Sequence, residues 1–148
     1  WDLQACCKHL ERSWMGRLYR RAMLRTLRER GLAAAARFPD ALCADSIRRS
    51  LTFQDYDDIV TAPVHGFANA ADYYRRCSSK QFLDGVRSRL VCLDALDDPF
   101  LPPGTLPTKA PDQVSFERPA HGGHLGFLGN RGRLWMEDFI VDRCSGWY

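Results

Sequence analysis

The chain has 148 residues, of which 45% are hydrophobic and 26% charged, and its formal net charge at pH 7 is +3. This composition is typical of a globular domain, and no apolar run approaches the roughly 20 residues that cross a bilayer, which excludes a transmembrane segment within these residues. Six cysteines without a Cys-x-x-Cys pair favour free thiols and therefore a reducing, cytoplasmic location.

The basic charge is concentrated near the start of the chain. Residues 8–37 contain nine basic side chains and two acidic ones. Residues 3–37 are predicted to be helical, with a break at Gly31. One arc of this helix is apolar and a second is basic, as expected for an amphipathic helix. The apolar arc holds Met15, Leu18, Tyr19, Ala22, Met23 and Leu27, and the basic arc holds Arg17, Arg21, Arg25 and Arg28.

The basic arc has two interpretations. A solvated helix face is the simpler one, and a surface for phosphate, anionic lipid or nucleic acid is the other. No nucleic-acid motif accompanies the arginines, so nucleic acid is not an expected partner.

The middle of the chain is predicted to be a series of short helices. One spans residues 45–51 with Asp45 as its cap, and another starts at Asn69 or Ala70 and ends at Arg76, with Tyr73 and Tyr74 pointing inward. Pro63 is expected to turn the chain between them.

An acidic run at Asp55, Asp57 and Asp58 resembles a metal site only weakly. It lacks the glycine and the distal glutamate of a calcium loop. We therefore expect these carboxylates to cap helices or to accept hydrogen bonds from backbone amides, and we predict no metal site.

Two strands are predicted in the last third of the chain. Residues 89–95 are almost continuously apolar, which is typical of a strand in a parallel sheet, and residues 114–118 form the second strand. A helical turn at 80–86, a proline-rich crossover at 101–112 and a final helix at 134–143 complete the pattern, which predicts an α/β fold.

Candidate catalytic residues follow these strands. Asp97 and Asp98 follow the first, while His121 and His124, separated by two glycines, follow the second. An acid and a histidine at the carboxyl ends of neighbouring parallel strands make two thirds of a hydrolytic triad. None of the serines lies within Gly-x-Ser-x-Gly, the motif of the nucleophile in such sites. A zinc pair formed by the two histidines and a nucleophilic Cys77 are less favoured, because no third zinc ligand has suitable spacing and nothing in the sequence places Cys77 near a histidine.

Five segments, in this order, resemble the YheT-like family of the α/β-hydrolase superfamily, a group of carboxylesterases and lipases. The segments are residues 53–62, 65–67, 71–78, 97–100 and 121–127. The resemblance implies that the chain is the C-terminal part of an α/β-hydrolase fold, with a mainly helical cap or insertion region at 1–88 and the last core strands and helices at 89–148.

The resemblance also implies the roles in the site. His124 would be the base and Asp97 the acid, with Asp98 as the alternative acid, and no nucleophile would lie in this chain. An N-terminal portion of the same protein would supply the serine, so this chain alone would be inactive. The substrate would be an ester or an acyl lipid, and no cofactor would be needed.

A second function class stays open at this point. The chain could be a non-enzymatic, hydrolase-like protein that binds anionic partners through its basic helix. In either case we expect the strand at 89–95 to present an edge that needs another polypeptide, or a second copy, to cover it.

Overall fold

The computed structural model describes residues 1–127 and 135–145. These residues form two compact units: the first contains residues 1–81 and 100–107, and the second contains residues 82–99 and the described residues from 108 onward. The first unit is helical, and the second contains a small sheet and the final helix. No helix in the described ranges is long and apolar enough to cross a membrane.

The predicted N-terminal helix is two helices, α1 (Leu3–Arg12) and α2 (Trp14–Arg37). The break lies at Ser13, whose backbone is extended and whose hydroxyl accepts a hydrogen bond from the amide of Gly16 at 2.9 Å. This is the usual geometry of a helix N-cap.

The predicted break at Gly31 is wrong. Gly31 is buried in the middle of α2, where a Cβ atom would lie 3.1 Å from the hydroxyl oxygen of Tyr56. Gly16 has a similar role at the other end of the helix, since a Cβ there would lie 2.3 Å from the carbonyl oxygen of Leu10 in α1. These glycines stay inside the helix because they let neighbouring elements approach closely, which outweighs their low helix propensity.

The buried side of α2 is therefore the side with small residues, and it carries Gly16, Leu24, Gly31 and Ala35. This side contributes to the core of the first unit, which consists of Leu10, Leu24, Ala35, Leu42, Ile47, Phe53, Tyr56 and Val60. Most of the apolar arc seen in the sequence lies elsewhere, and Leu18 and Met15 are 61% and 44% exposed.

Helix α3 (Ala44–Arg49) begins one residue earlier than predicted. Cys43 occupies the N-cap position, so the prediction of Asp45 as the cap is wrong. Asp45 lies in the first turn, where its carboxylate contacts Arg48 at 2.7 Å. A carboxylate in the first turn also interacts favourably with the helix dipole.

One helical segment replaces the turn expected at Pro63. It consists of α4 (Phe53–Tyr56), a wide π-helical stretch (Asp57–Thr61) and α5 (Ala62–His65). Pro63 is the second residue of α5 and directly follows the π-helical stretch, so it lies inside this helical segment rather than at a turn. The chain turns only at Gly66, which has a left-handed backbone with φ of 72°.

The acidic run caps and connects these helices. Asp55 accepts hydrogen bonds from the amides of Leu51 and Thr52, and Asp58 accepts one from the amide of Ala70 at 2.6 Å. The predicted bonding to backbone amides is confirmed for these two carboxylates. Asp57 instead accepts hydrogen bonds from the side-chain hydroxyls of Thr61 and Tyr74.

Helix α6 (Ala70–Cys77) begins at Ala70, one of the two predicted starts, and the side chain of Asn69 caps it by accepting a hydrogen bond from the amide of Asp72 at 2.9 Å. Tyr74 is buried in this unit, as predicted, whereas Tyr73, which was also predicted to point inward, is half-buried. A 3-10 helix (Ser79–Gly85) follows at the predicted helical turn.

A polar network centred on Tyr74 joins α1, α6 and the π-helical stretch. The hydroxyl of Tyr74 donates to Asp57 Oδ2 at 2.6 Å and accepts from the thiol of Cys7 at 3.6 Å, while Thr61 donates to Asp57 Oδ1 at 2.5 Å. Burial raises the pKa of the Cys7 thiol to about 11, and burial together with the bond to Asp57 raises the pKa of Tyr74. Both groups therefore stay protonated, as donors, at neutral pH.

The second unit is organised by two parallel strands, β1 (Leu90–Leu93) and β2 (Val114–Glu117), in register from Leu90 opposite Val114 to Leu93 opposite Glu117. The predicted parallel pair is confirmed. The β1 side chains are half-buried rather than fully buried, because among the described residues β2 is the single neighbouring strand.

Helix α7 (Trp135–Ser145) is the predicted final helix, and the predicted Leu134 lies outside the described residues. Arg143 pairs with Glu117 of β2, and the amide of Trp135 donates to the carbonyl of Phe127 at 3.0 Å. Ile140 remains 49% exposed, so the apolar face of α7 is only partly covered by the described residues.

The Tyr74 network should contribute measurably to the stability of the helical unit. Replacing Tyr74 with Phe removes the donor to Asp57 while keeping the ring, so we expect the free energy of unfolding to fall by about 1.5–3 kcal/mol, as for a hydrogen bond to a charged group. Urea denaturation followed by far-UV circular dichroism measures this change.

Tyr73 provides the matched control. Its ring lies 5.3 Å from that of Phe67, and its hydroxyl makes no hydrogen bond within the residues that the structure covers. Tyr73→Phe should therefore leave the unfolding midpoint almost unchanged, and equal losses in the two variants would contradict a specific role for the Tyr74 network.

Candidate active site

The strand pairing of the second unit continues beyond the ends of β1 and β2. The amide of Asp94 donates to the carbonyl of Glu117 at 3.0 Å, and the amide of Leu96 donates to the carbonyl of Pro119 at 2.9 Å. The segment after β1 therefore runs beside the segment after β2. This arrangement brings the two predicted aspartates next to the two predicted histidines.

Asp98 and His124 form the more buried of two acid–histidine pairs. Asp98 Oδ2 lies 2.9 Å from His124 Nδ1, and the side chain of Asp98 is 5% exposed while that of His124 is 50% exposed. A buried carboxylate beside one ring nitrogen fixes the orientation of the imidazole and favours a proton on that nitrogen.

Asp97 forms the second pair, with His121, and it also binds the loop backbone. Its Oδ1 atom accepts hydrogen bonds from the amides of Gly122 and Gly123 at 2.9 and 2.8 Å, and its Oδ2 atom lies 3.2 Å from His121 Nδ1. The pKa of Asp97 is lowered, chiefly by the bond from the Gly123 amide and further by His121 and the Gly122 amide. Asp97 thus holds the backbone of the loop that contains Gly122 and Gly123, which we call the glycine loop.

The two glycines are required by this geometry. A Cβ atom on Gly122 would lie 2.4 Å from the ring of Phe127, which is buried, and 3.0 Å from Cβ of Ala95. Gly123 has φ of 62°, a left-handed conformation that side chains disfavour. The loop can therefore present both amides to Asp97 only with glycine at these positions.

The structure thus changes the pairing expected from the sequence. Asp97 was expected beside His124, but it lies beside His121, and Asp98, the alternative acid, contacts His124. The sequence predicted one acid–histidine pair and missed the second, although two adjacent aspartates and two histidines three residues apart were the signal for it. Side-chain direction in a tight turn depends on local backbone angles, which is why adjacent aspartates could not be distinguished.

The two predicted histidines lie beside different groups. Each ring contacts a different carboxylate, and no group of three potential metal ligands occurs among residues 1–127 and 135–145.

An apolar cavity of about 340 Å³ lies against His124 within the second unit. Its lining includes Leu93 of β1, Leu125 and Phe127 of the loop, and Phe139 and Ile140 of α7. An apolar group placed there would lie beside the imidazole.

Comparison with known proteins gives relatives of one kind. No family model matches the chain. No solved structure matches it either. The chain is 34% identical over 150 residues to "Putative esterase YheT" of Escherichia coli (strain K12), a match that covers 95% of this chain and 43% of that protein. It is 28% identical over 131 residues to phospholipase ABHD3 of Mus musculus, covering 86% of this chain and 32% of the relative. It is 32% identical over 96 residues to monoacylglycerol lipase of Saccharomyces cerevisiae, covering 62% of this chain and 21% of the relative.

The chain spans less than half the length of these relatives. Within that span, the match to the first relative extends over nearly the whole chain, and a further abhydrolase domain-containing protein, from Dictyostelium discoideum, matches 97% of it at 26% identity. The chain therefore belongs to the α/β-hydrolase superfamily, in its YheT-like family.

Proposed function

We propose that this chain supplies the acid and the base of a serine hydrolase that acts on carboxylic esters. The observation that carries the proposal is the contact of 2.9 Å between His124 Nδ1 and the buried carboxylate of Asp98. The names of the relatives, which are those of an esterase, a phospholipase and a lipase, support ester hydrolysis as the reaction class.

The proposed roles give proton transfer a direction. With Asp98 at Nδ1, the other ring nitrogen, Nε2, takes the proton of the attacking serine and returns it to the leaving alcohol. The carboxylate stabilises the imidazolium cation that forms between these two steps. Asp98 is buried, so little water screens its charge. The electrostatic attraction between its carboxylate and the imidazolium of His124 is therefore strong.

Asp98 suits the acid role better than Asp97. Asp97 directs one carboxylate oxygen to two loop amides and the other to His121, whose side chain is 90% exposed. In the proposed site Asp97 holds the loop that carries His124, and so it is a positioning residue.

The nucleophile of the proposed enzyme is a serine outside these 148 residues. None of the serines here has glycines two positions away on both sides, as a strained nucleophile turn requires. We propose that an N-terminal portion of the protein supplies it, and that residues 1–88 belong to the cap or insertion region and 89–148 to the core.

The proposed substrate is an ester with an apolar acyl chain. The cavity beside His124 is lined mainly by apolar side chains, and besides His124 its polar lining consists of Arg143 and Cys144. Pockets of this kind bind apolar groups by excluding water, with a few polar groups setting the orientation.

Ester turnover should depend on Asp98 and His124. A suitable test protein joins the part of YheT that precedes its matched region to residues 1–148, and it is assayed with p-nitrophenyl esters and a serine-directed fluorophosphonate. By analogy with other triads, His124→Gln should lower kcat by about 10⁶-fold and Asp98→Asn by about 10⁴-fold.

Two controls accompany this test. Asp97→Asn should retain most of the activity, because an asparagine oxygen can still accept the loop amides, and residues 1–148 alone should neither turn over esters nor react with the probe. A large loss in Asp97→Asn with none in Asp98→Asn would make Asp97 the acid. Probe-sensitive turnover by residues 1–148 alone would place the nucleophile within them.

The pairing itself can be measured on the 148-residue chain. The contact with Asp98 should hold neutral His124 as the Nδ1–H tautomer, whereas a histidine side chain free in water favours the Nε2–H tautomer. Long-range ¹H–¹⁵N correlation spectra distinguish the two tautomers.

Asp98→Asn should move His124 away from the Nδ1–H form, because the asparagine amide can donate to Nδ1. The matched variant Asp97→Asn should change the signals of His121 and leave the His124 tautomer as it was. If the two variants had the opposite effects, the proposed pairing would be wrong.

A further inference from the structure

We propose that the N-terminal half of α2 binds the surface of anionic phospholipid bilayers. The surface consists of Trp14, Arg17, Leu18, Arg21 and Arg25, which we call the Trp14 strip. Leu18, Arg21 and Arg25 follow Trp14 at intervals of three or four residues, and Arg17 lies three residues after Trp14, so the five side chains lie along one side of the helix. The inference is independent of the ester hydrolysis proposed above.

The apolar members of the strip are exposed. Trp14 is 69% and Leu18 61% exposed, and Leu51, which is 69% exposed, lines the same groove of about 620 Å³. Single exposed apolar residues are common on protein surfaces, but adjacent large ones around a groove mark an interaction surface.

The basic members of the strip are available for an anionic partner. Arg21 and Arg25 are exposed, and neither forms an ion pair within the part of the chain that the structure describes. Arg17 donates to the carbonyl of Arg12, which leaves its positive charge uncompensated. Helix α2 has seven arginines and one acidic residue, Glu29, which lies one turn beyond Arg25 on the same side of the helix.

Two further arginines of the helix, Arg20 and Arg28, have partners within the first unit and are not part of the strip. Arg28 donates to the carbonyl of Ser50. The pKa of Asp55 is lowered against the effect of its burial, chiefly by hydrogen bonds from Leu51 and Thr52 and to a smaller extent by the charge of Arg20. The Trp14 strip is thus the part of the basic arc that is left for an external partner.

The combination of residues favours a bilayer over nucleic acid. Tryptophan and leucine insert among lipid headgroups and the upper acyl chains, while arginines bind the phosphates. Phosphate recognition in nucleic acid would use the arginines but give no role to Leu18, Leu51 and Met15, which are all exposed.

The test is sedimentation of the 148-residue chain with sucrose-loaded vesicles. Vesicles of phosphatidylcholine and phosphatidylglycerol at a ratio of about 3:1 should bind the chain, and vesicles of phosphatidylcholine alone should bind it much more weakly. Binding should weaken as salt is raised, because the attraction between the arginines and the lipid charges is screened.

Two double variants with the same net charge distinguish binding through the Trp14 strip from binding that depends only on the total charge of the chain. Arg21→Glu with Arg25→Glu should lower the partition coefficient by at least about tenfold. Arg30→Glu with Arg37→Glu changes the charge equally on another side of α2 and should lower it much less. Equal losses in both variants would overturn the proposal.

A third variant tests the apolar contribution. Trp14→Ser with Leu18→Ser keeps every charge, and circular dichroism checks that α2 stays helical. We expect this variant to lose the binding that persists at about 0.5 M salt, where the Debye length is only a few ångströms. Undiminished binding by this variant, or binding to duplex DNA without binding to anionic vesicles, would also overturn the proposal.

Discussion

The parallel pairing of β1 with β2 is the interaction on which the candidate site depends. Its hydrogen bonds continue past the strands, through the amides of Asp94 and Leu96, and so hold the two following segments side by side. This continuation brings Asp97 and Asp98 next to His121 and His124, although the aspartates and histidines are more than twenty positions apart in the sequence. Parallel strands end at the same edge of a sheet, which is why α/β proteins build sites there from different parts of the chain.

The two adjacent aspartates at this edge of the sheet have different partners. Asp98 points into the protein, where a carboxylate is costly unless it has a partner, and it contacts His124. Asp97 points toward the loop and binds the amides of Gly122 and Gly123. The buried group therefore orients a ring and the exposed group shapes the loop that carries this ring.

The helical unit is held together by close approach and by buried polar contacts. Glycines at 16 and 31 allow α2 to approach Leu10 and Tyr56, and the hydroxyl of Tyr74 connects α1 with α6 and the π-helical stretch. Because the small-residue side of α2 is the buried one, the side with Trp14 and Leu18 remains exposed. The packing of the unit thus produces the surface that we propose meets a bilayer.

The sequence by itself determined the α/β class, the parallel pairing of the two strands, the helix after Asn69 and the location of the acids and histidines at the strand ends. These features follow from local patterns: apolar runs, caps and residues placed after strands. Only the tertiary structure decided which aspartate contacts which histidine, that α2 continues through Gly31, and which side of α2 is buried. Each of these depends on backbone angles in a tight turn or on how closely a distant element approaches, for which a local pattern has no signal.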